Sequence, residues 1–139
     1  MKAHDIKLSN GVKTFLGKLI VTDKALVFLC ASTGSALLEG AALGIGGKMG
    51  LLLKELSNKG NYGQISSEIT EEDLKGAAAE MPNSIIFEAS KIEKIQQNWA
   101  FRMIKWDNKK IGVPSGFSKE LKQELIPWAK KWNIEIKGF

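Results

Sequence analysis

The chain has 139 residues, a length that fits one domain and can bury a hydrophobic core without disulfides or metals. Hydrophobic residues make up 44% and charged residues 25% of it, which is the balance of an ordinary globular protein. The single cysteine excludes an intrachain disulfide, and the polar N-terminus lacks the apolar segment of a secretory signal. We therefore expect a single domain, 1–139, that is cytoplasmic and either free or peripheral to a membrane.

The basic residues give the chain a net charge of +5, and all of them except Arg102 are lysines. Proteins that read nucleic acids usually use arginine for bidentate contacts with bases and phosphates, so we predict no nucleic-acid partner. A scattered excess of lysine either keeps the surface solvated or attracts an anionic partner such as a membrane surface.

Residues 5–32 have the pattern of β-strands. They begin with a turn signal, Asn10-Gly11, because both residues tolerate the positive φ of a tight hairpin. The strand after this turn places three apolar side chains on one face, on both sides of Gly17: Phe15, Leu19 and Val21. A second turn at 23–24 leads into residues 25–31, which are apolar on both faces and predict a strand buried within the sheet.

A long glycine-rich insertion, residues 33–83, interrupts the strands, and insertions of this length are often functional. Its stretch 40–53 is nearly uncharged, a composition that usually marks an interface when exposed. Three interpretations stay open: a glycine loop packed on the sheet, a helix that contacts another subunit or protein through 36–56, or a segment that enters a membrane surface. The residues predicted to insert are Leu43, Ile45, Met49 and Leu52.

The end of the insertion predicts a short helix near residues 71–80. Thr70 is a good N-cap, Asp73 lies three residues further on, and the acidic first turn suits the helix dipole. The apolar stripe of this helix consists of Leu74, Ala77, Ala78 and Met81.

Strands return after the insertion. Residues 84–95 predict one strand, followed by a turn at 96–98. Trp99, Phe101 and Met103 then alternate with other residues, which predicts a strand that buries these three side chains on one face. A turn at 107–109 and a strand to residue 113 complete the predicted sheet.

The last predicted element is a helix over residues 118–132 that packs against one end of the sheet. Its apolar residues repeat at spacings of four and three and form one stripe: Leu121, Leu125, Trp128 and Trp132. Pro127 lies off this stripe, so the bend it causes is expected to be convex to solvent.

The stretch GKLIVTDKALVFL, from Gly17 to Leu29, resembles the G-x-L-x-(L/V)-T-x-x-x-L-x-F signature of GRAM and pleckstrin-homology-like (PH-like) domains. The later strands and the Trp128 helix are similar in order to that family, whose bacterial members carry a glycine- and alanine-rich insertion in the place of 34–54. The resemblance implies a mainly β (α+β) fold, an antiparallel barrel or sandwich of about seven strands with a C-terminal helix.

The same resemblance implies a non-enzymatic binding module for phosphoinositides, other lipids or protein segments. The basic pattern for phosphoinositides is incomplete here, because Lys7 precedes the first hairpin and Lys13 follows it without an arginine.

The residues of the usual catalytic and metal sites do not come together in the sequence. His4 is the only histidine and is expected to lie in a frayed terminus, and Cys30 lies in an apolar strand that predicts a buried structural thiol. The glycine stretch 44–48 lacks the Ser or Thr of a phosphate loop, since Met49 follows the lysine. We therefore predict no enzyme, cofactor or metal; the alternative is a small enzyme or enzyme subunit that uses lysine and carboxylate groups.

A count of strand reversals brings the insertion, the first hairpin turn and the turn at 107–108 to the same end of the sheet. Basic residues then surround the apolar insertion: Lys7, Lys13, Lys54, Lys109 and Lys110. This pattern predicts peripheral docking on an anionic membrane through the insertion. The alternative is that the insertion folds back on the sheet and the lysines solvate its rim.

Overall fold

A computed structural model describes residues 1–30, 65, 67 and 69–139 of the chain. Eight strands and two α-helices lie within these residues. They are β1 (Ala3–Ser9), β2 (Thr14–Val21), β3 (Ala25–Cys30), α1 (Glu71–Glu80), β4 (Ile85–Glu88), a short 3-10 helix (Ala89–Lys91), β5 (Ile92–Gln97), β6 (Arg102–Trp106), β7 (Lys109–Gly112), α2 (Lys119–Lys131) and β8 (Glu135–Lys137). All of segment 36–56 lies outside the described residues, and with it the residues predicted to insert, Leu43, Ile45, Met49 and Leu52, and the neighbouring Lys54.

The strands form one mixed sheet in the order β4-β3-β2-β1-β7-β6-β5-β8. All neighbours are antiparallel except β5 and β8, which are parallel. The prediction of a mainly β fold with a C-terminal helix is confirmed. The sheet has eight strands rather than about seven. Its two edge strands, β4 and β8, do not pair with each other, so the sheet is not closed. The predicted sandwich-like form therefore fits, and the predicted closed barrel does not.

One residue pair, Ser9 with Gly112, joins β1 to β7, whereas β1 and β2 pair along seven residues. The sheet therefore consists of two four-stranded halves, β1–β4 and β5–β8, that meet at a narrow junction. Antiparallel pairing at this junction places the turn before β7 on the same side as the turn after β1, which agrees with the strand count.

Strand β3 is buried on both faces, as its sequence predicts. Leu26 and Phe28 belong to the core that α2 covers, and Val27 belongs to a second cluster beneath α1. Gly17 in β2 allows this packing, because a Cβ there would lie 2.2 Å from the carbonyl oxygen of Leu29 and 2.7 Å from the Phe28 ring. The predicted apolar face of β2, formed by Phe15, Leu19 and Val21, packs in the same core that α2 covers.

Both helices begin where their capping residues predict. Thr70 forms a capping box with Asp73 at the start of α1, and the Ser118 hydroxyl accepts a hydrogen bond from the amide of Leu121 in α2. The predicted apolar stripes are buried in both helices, except that Trp132 at the end of α2 is only partly buried. Pro127 is exposed on the outer side of α2, as predicted.

The strand predicted to bury Trp99, Phe101 and Met103 is wrong in its start and its face. Strand β6 begins at Arg102, and its buried face carries Ile104, while Trp99 is 95% exposed and Phe101 65% exposed. The reason is local: residues 98–101 form the turn between β5 and β6, so the predicted turn at 96–98 comes two residues too early. Residues 99 and 101 therefore lie outside the alternating strand.

The N-terminus is ordered rather than frayed, which corrects the expectation for His4. This residue lies in β1, is 8% exposed, and places its Nε2 2.8 Å from a carboxylate oxygen of Glu124 in α2. A carboxylate accepts but does not donate, so the imidazole donates this hydrogen bond and ties the first strand to the last helix.

Candidate functional site

A groove of about 540 Å³ lies over the junction between the two halves of the sheet. It is bounded by the turn 10–13 and the turn 98–101, and its floor includes the joining residues Ser9 and Gly112. We call it the junction groove; the residues that line it are Ser9, Asn10, Gly11, Trp99, Ala100, Arg102, Lys110, Gly112, Val113 and Pro114. Two of them are cationic and none is acidic, so the groove favours an anionic ligand.

The two turns beside the groove are built in the same way. The side-chain oxygen of Asn10 accepts hydrogen bonds from the amides of residues 12 and 13, at 2.9 and 2.8 Å. The side-chain oxygen of Asn98 accepts them from the amides of residues 100 and 101, at 2.9 and 2.6 Å. Each asparagine thus satisfies the amides of its own turn, and the other side chains of the turn are not required to do so.

Three apolar side chains at these turns are left in solvent. Val12 is 89% exposed and belongs to the first turn, whereas Trp99 and Phe101 belong to the second. We call these three residues the apolar tips. Exposed aromatic residues beside a groove mark an interaction surface more often than isolated surface residues do.

Arg102 is held in a defined position within the groove. Its Nη1 donates a hydrogen bond of 2.9 Å to the carbonyl oxygen of Pro114. Gly116, at a φ of +73°, leaves room for its stem, since a Cβ there would lie 3.5 Å from Cδ of Arg102 and 3.2 Å from Oε1 of Gln97. No carboxylate of the described residues forms an ion pair with this guanidinium. Most of its donors therefore stay available to a ligand.

A row of three lysines crosses the strands next to the groove. Lys110 in β7 lies opposite Lys105 in β6, which lies opposite Lys94 in β5. Like charges directly opposite one another destabilise a sheet. The repulsion among these lysines is only weakly compensated, because the nearest carboxylate oxygen of Glu93 lies 3.9 Å from Nζ of Lys105, at the limit of an ion pair. We call these residues the lysine row; a repulsive arrangement at a groove is typical of an anion-binding surface.

The predicted binding lysines take different positions around this site. Lys110 lines the groove, and Lys13 is exposed at the end of the turn 10–13. Lys7 borders a smaller groove of about 300 Å³ that also includes Ser115, next to Pro114. Lys109 starts β7, and its Nζ lies 6.0 Å from the ring centroid of Trp106. The binding role of these four lysines stays a prediction.

At the opposite end of β2, the turn is bound to both helices. We call this region the helix clamp: the turn 22–24 with its partners in both helices. The carbonyl oxygen of Asp23 accepts hydrogen bonds from Nε1 of Trp128, at 3.2 Å, and from Nε1 of Trp132, at 2.9 Å. On the other side, the Glu71 carboxylate of α1 accepts from the amide of Lys24, at 2.7 Å, and from the Thr22 hydroxyl.

The two carboxylates of the helix clamp, those of Asp23 and Glu71, have cationic partners within the fold. The Lys131 ammonium, by its hydrogen bond and its charge, holds the pKa of Asp23 below its usual range. Burial acts to raise the pKa of Glu71, but the Thr22 and Lys24 hydrogen bonds and the charge of Lys75 outweigh it, so that pKa is also lowered. This region consequently serves to dock the helices.

A further cluster of charged side chains, around Lys75, joins α1 to the sheet. Lys75 in α1 lies 3.1 Å from Glu88 in β4 and 3.9 Å from Glu71, and its hydrogen bond with Glu88 raises its pKa. Within residues 1–30 and 69–139, no group of three His, Cys, Asp or Glu side chains is arranged to bind a metal. No helix among the described residues has the length and apolar character needed to cross a membrane.

Sequence reasoning missed the apolar tips and the fixed position of Arg102. One signal for the second turn was available in the sequence. Asn98 precedes Trp99 as Asn10 precedes Gly11, and an asparagine at the start of a turn hydrogen-bonds the amides that follow it.

Comparisons of the chain with protein-family models, curated proteins and solved structures found no match.

Proposed function

We propose that the chain is a non-enzymatic binding module of the PH-like type and that it docks on an anionic membrane surface through the junction groove side. The observation that carries this proposal is the combination of three exposed apolar tips with cations at one groove. Two meanders, β1–β4 and β5–β7, followed by a helix support the PH-like part of the proposal.

Charge and apolar surface have separate roles in this docking. The lysine row, Lys13 and Arg102 attract the module to an anionic leaflet, where each basic residue near the surface contributes about 1 kcal/mol. The tips then add burial, because tryptophan places its apolar body and its polar N–H at the boundary between lipid and water. Val12 and Phe101 add apolar area to the same contact.

A membrane fits these residues better than a protein surface does. The apolar groups belong to the two turns that bound the groove, with Lys110 in its lining and Lys13 at the end of one turn, and lysine is generally depleted at the centre of protein interfaces. The part of the chain that the structure describes offers no comparable site to the enzyme alternative. The described place where lysine and carboxylates converge, around Lys75, joins α1 to β4 and forms no part of the groove.

Vesicle co-sedimentation tests the proposal. We expect the chain to bind vesicles of phosphatidylcholine with phosphatidylglycerol at low salt, to bind less at high salt, and not to bind phosphatidylcholine alone. Replacing Trp99 and Phe101 together by serine is expected to weaken binding about tenfold or more, because each aromatic buries apolar area worth more than 1 kcal/mol.

Two further variants serve as comparisons. Leu16→Ser removes an apolar side chain that is 47% exposed on the flank of β2, and it is expected to bind as the wild type does. Leu43→Ser with Ile45→Ser tests the insertion that the sequence predicted as the docking segment. Absence of binding at low salt, or unchanged binding when Trp99 and Phe101 are serine, would contradict the proposal and leave a protein partner.

A further inference from the structure

The two asparagine turns beside the junction groove differ in the residue that follows the asparagine. Asn10 is the one asparagine of the chain that precedes a glycine, whereas Asn98 precedes Trp99. Among the described residues, no atom lies within 4 Å of the position that a Cβ on Gly11 would take, and the φ of Gly11 is +93°. A side chain on the following residue hinders the approach of its backbone nitrogen to the asparagine side chain, and Gly11 has none.

The hydrogen bonds of the first turn prepare the Asn10 side chain for attack by that nitrogen. Its Oδ1 accepts from the amides of Val12 and Lys13, at 2.9 and 2.8 Å, so two donors already point at the oxygen on which negative charge develops during the attack. The N–H of Gly11 donates to the Ser9 hydroxyl, at 3.2 Å, which increases the electron density on the nitrogen. The turn thus binds the oxygen of the side-chain amide, and the NH2 group is the part that leaves.

We infer that Asn10 is a site of spontaneous deamidation, which the turn itself promotes. The nitrogen of Gly11 forms a bond with Cγ of Asn10 and loses its proton, while the side-chain nitrogen takes up a proton and leaves as ammonia. The product is a cyclic succinimide, which water then opens. Addition of water at the side-chain carbonyl gives aspartate, and addition at the main-chain carbonyl gives isoaspartate, in which the chain runs through the side-chain methylene.

The modification changes the charge of the junction groove. Asn10 lines this groove, none of the residues that line it is acidic, and either product adds one negative charge there. The consequence for binding rests on the proposed membrane docking: one unit of charge beside an anionic surface changes the affinity about fivefold. A newly made chain therefore docks more tightly than an aged one.

The first experiment compares the two turns within one molecule. The chain is incubated at neutral pH and physiological temperature, and its peptides are mapped by mass spectrometry. We expect Asn10 to gain the mass that exchange of NH2 for OH adds, while Asn98 stays intact over the same period. Trp99→Gly is expected to make Asn98 labile, because it gives the second turn the unhindered nitrogen of the first.

A synthetic peptide of residues 5–16 separates the effect of the fold from that of the local sequence. It contains Asn10 and Gly11 but does not hold the amides of Val12 and Lys13 against Oδ1. We expect it to be converted more slowly than the folded chain under the same conditions.

The second experiment measures the effect of the new charge on docking. Asn10→Asp keeps an acceptor oxygen for the two amides of the turn, and it is expected to bind vesicles of phosphatidylcholine with phosphatidylglycerol about fivefold more weakly than the wild type. Gln123→Glu makes the same exchange of amide for carboxylate at an exposed position of α2 that does not line the groove, and it is expected to bind as the wild type does.

The outcomes separate the modification from the docking. Equal conversion of Asn10 and Asn98, conversion of neither, or faster conversion of the peptide than of the folded chain would overturn the promoted deamidation site. Conversion of Asn10 together with unchanged vesicle binding by Asn10→Asp would support the site and contradict docking through this side of the groove. Equally weakened binding by Asn10→Asp and Gln123→Glu would assign the effect to net charge and overturn the role of the groove.

Discussion

The two ends of β2 are both short turns, yet their side chains are used in opposite ways. Strand β2 has eight residues, so the helix clamp and the junction groove lie about 25 Å apart. At the helix clamp, the Asp23 carbonyl and the Glu71 carboxylate bind groups of other elements. At the junction groove, Asn10 and Asn98 bind only the amides of their own turns.

This difference shows where the fold depends on a side chain and where it does not. Removing a group from the helix clamp breaks a tertiary contact, whereas removing an apolar tip leaves the turn intact. Trp128 and Trp99 represent the two cases, because one is 7% exposed and the other 95% exposed. Residues that the fold does not need are free to contact a ligand, and this makes the groove the candidate site.

The largest expected effect compares these two tryptophans directly. Trp128→Ala should lower the free energy of unfolding by about 3–5 kcal/mol, because it empties a core position and leaves the Asp23 carbonyl with one partner fewer. The matched Trp99→Ala should change it by no more than about 0.5 kcal/mol. Urea denaturation followed by circular dichroism measures both, and equal values would contradict the comparison.

A smaller effect is expected for the carboxylate that docks α1. Glu71→Gln should cost about 1–2 kcal/mol, since a neutral amide is a weaker acceptor for the Thr22 hydroxyl and the Lys24 amide. Glu72→Gln is the matched control on the exposed side of the same helix turn. Thermal denaturation of both variants should show a lower midpoint for Glu71→Gln alone; an equal fall in the control would assign the effect to the helix dipole instead.

The lysine row predicts opposite effects on binding and on stability. Lys105→Gln should weaken binding to anionic vesicles by about 1 kcal/mol while it raises the free energy of unfolding by a few tenths, because it removes repulsion from Lys94 and Lys110. Co-sedimentation and urea denaturation of one variant test both halves. A variant that loses stability as well as binding would show that the row is structural.

The smallest effect concerns the exposed pair of Asp23 and Lys131. The pKa of Asp23 is depressed in the folded chain, so its contribution to stability is complete above the unfolded pKa and is lost as the pH falls through the lower folded pKa. Asp23→Asn keeps the backbone carbonyl for the two tryptophans and removes only the charge. Its melting temperature should lie slightly below that of the wild type at pH 7 and equal it well below pH 3.8, and high salt should erase the difference. A difference that persists in acid would contradict this assignment.

Local signals in the sequence were sufficient for much of the fold. Thr70 and Ser118 mark the helix starts because a capping side chain bonds an amide two or three residues away. Strand β3 reads as buried on both faces because both of its alternating sets are apolar. These features depend on neighbours in the chain, so a pattern of residues is enough to predict them.

The candidate site depended on contacts between distant segments. Either alternating set of residues 99–104 could face the core, the set with Trp99 or the set with Ile104. Only the turn at Asn98 decides that Ile104 is buried and that Trp99 is exposed. The parallel pairing of β8 and the narrow junction of Ser9 with Gly112 likewise have no local signal.

The sequence by itself thus determined the starts of both helices and the strands of the first half of the sheet, since these follow from capping hydrogen bonds and from the alternation of apolar residues. It did not predict β8, and the single strand predicted over 84–95 is wrong, because a 3-10 helix at Ala89–Lys91 divides it into β4 and β5. The tertiary structure alone decided that turns 10–13 and 98–101 bound one groove, that Arg102 is held by Pro114, and that three lysines lie in a row. The physical reason is that strand pairing brings together residues up to about a hundred positions apart, and its register is set by the packing of the whole sheet.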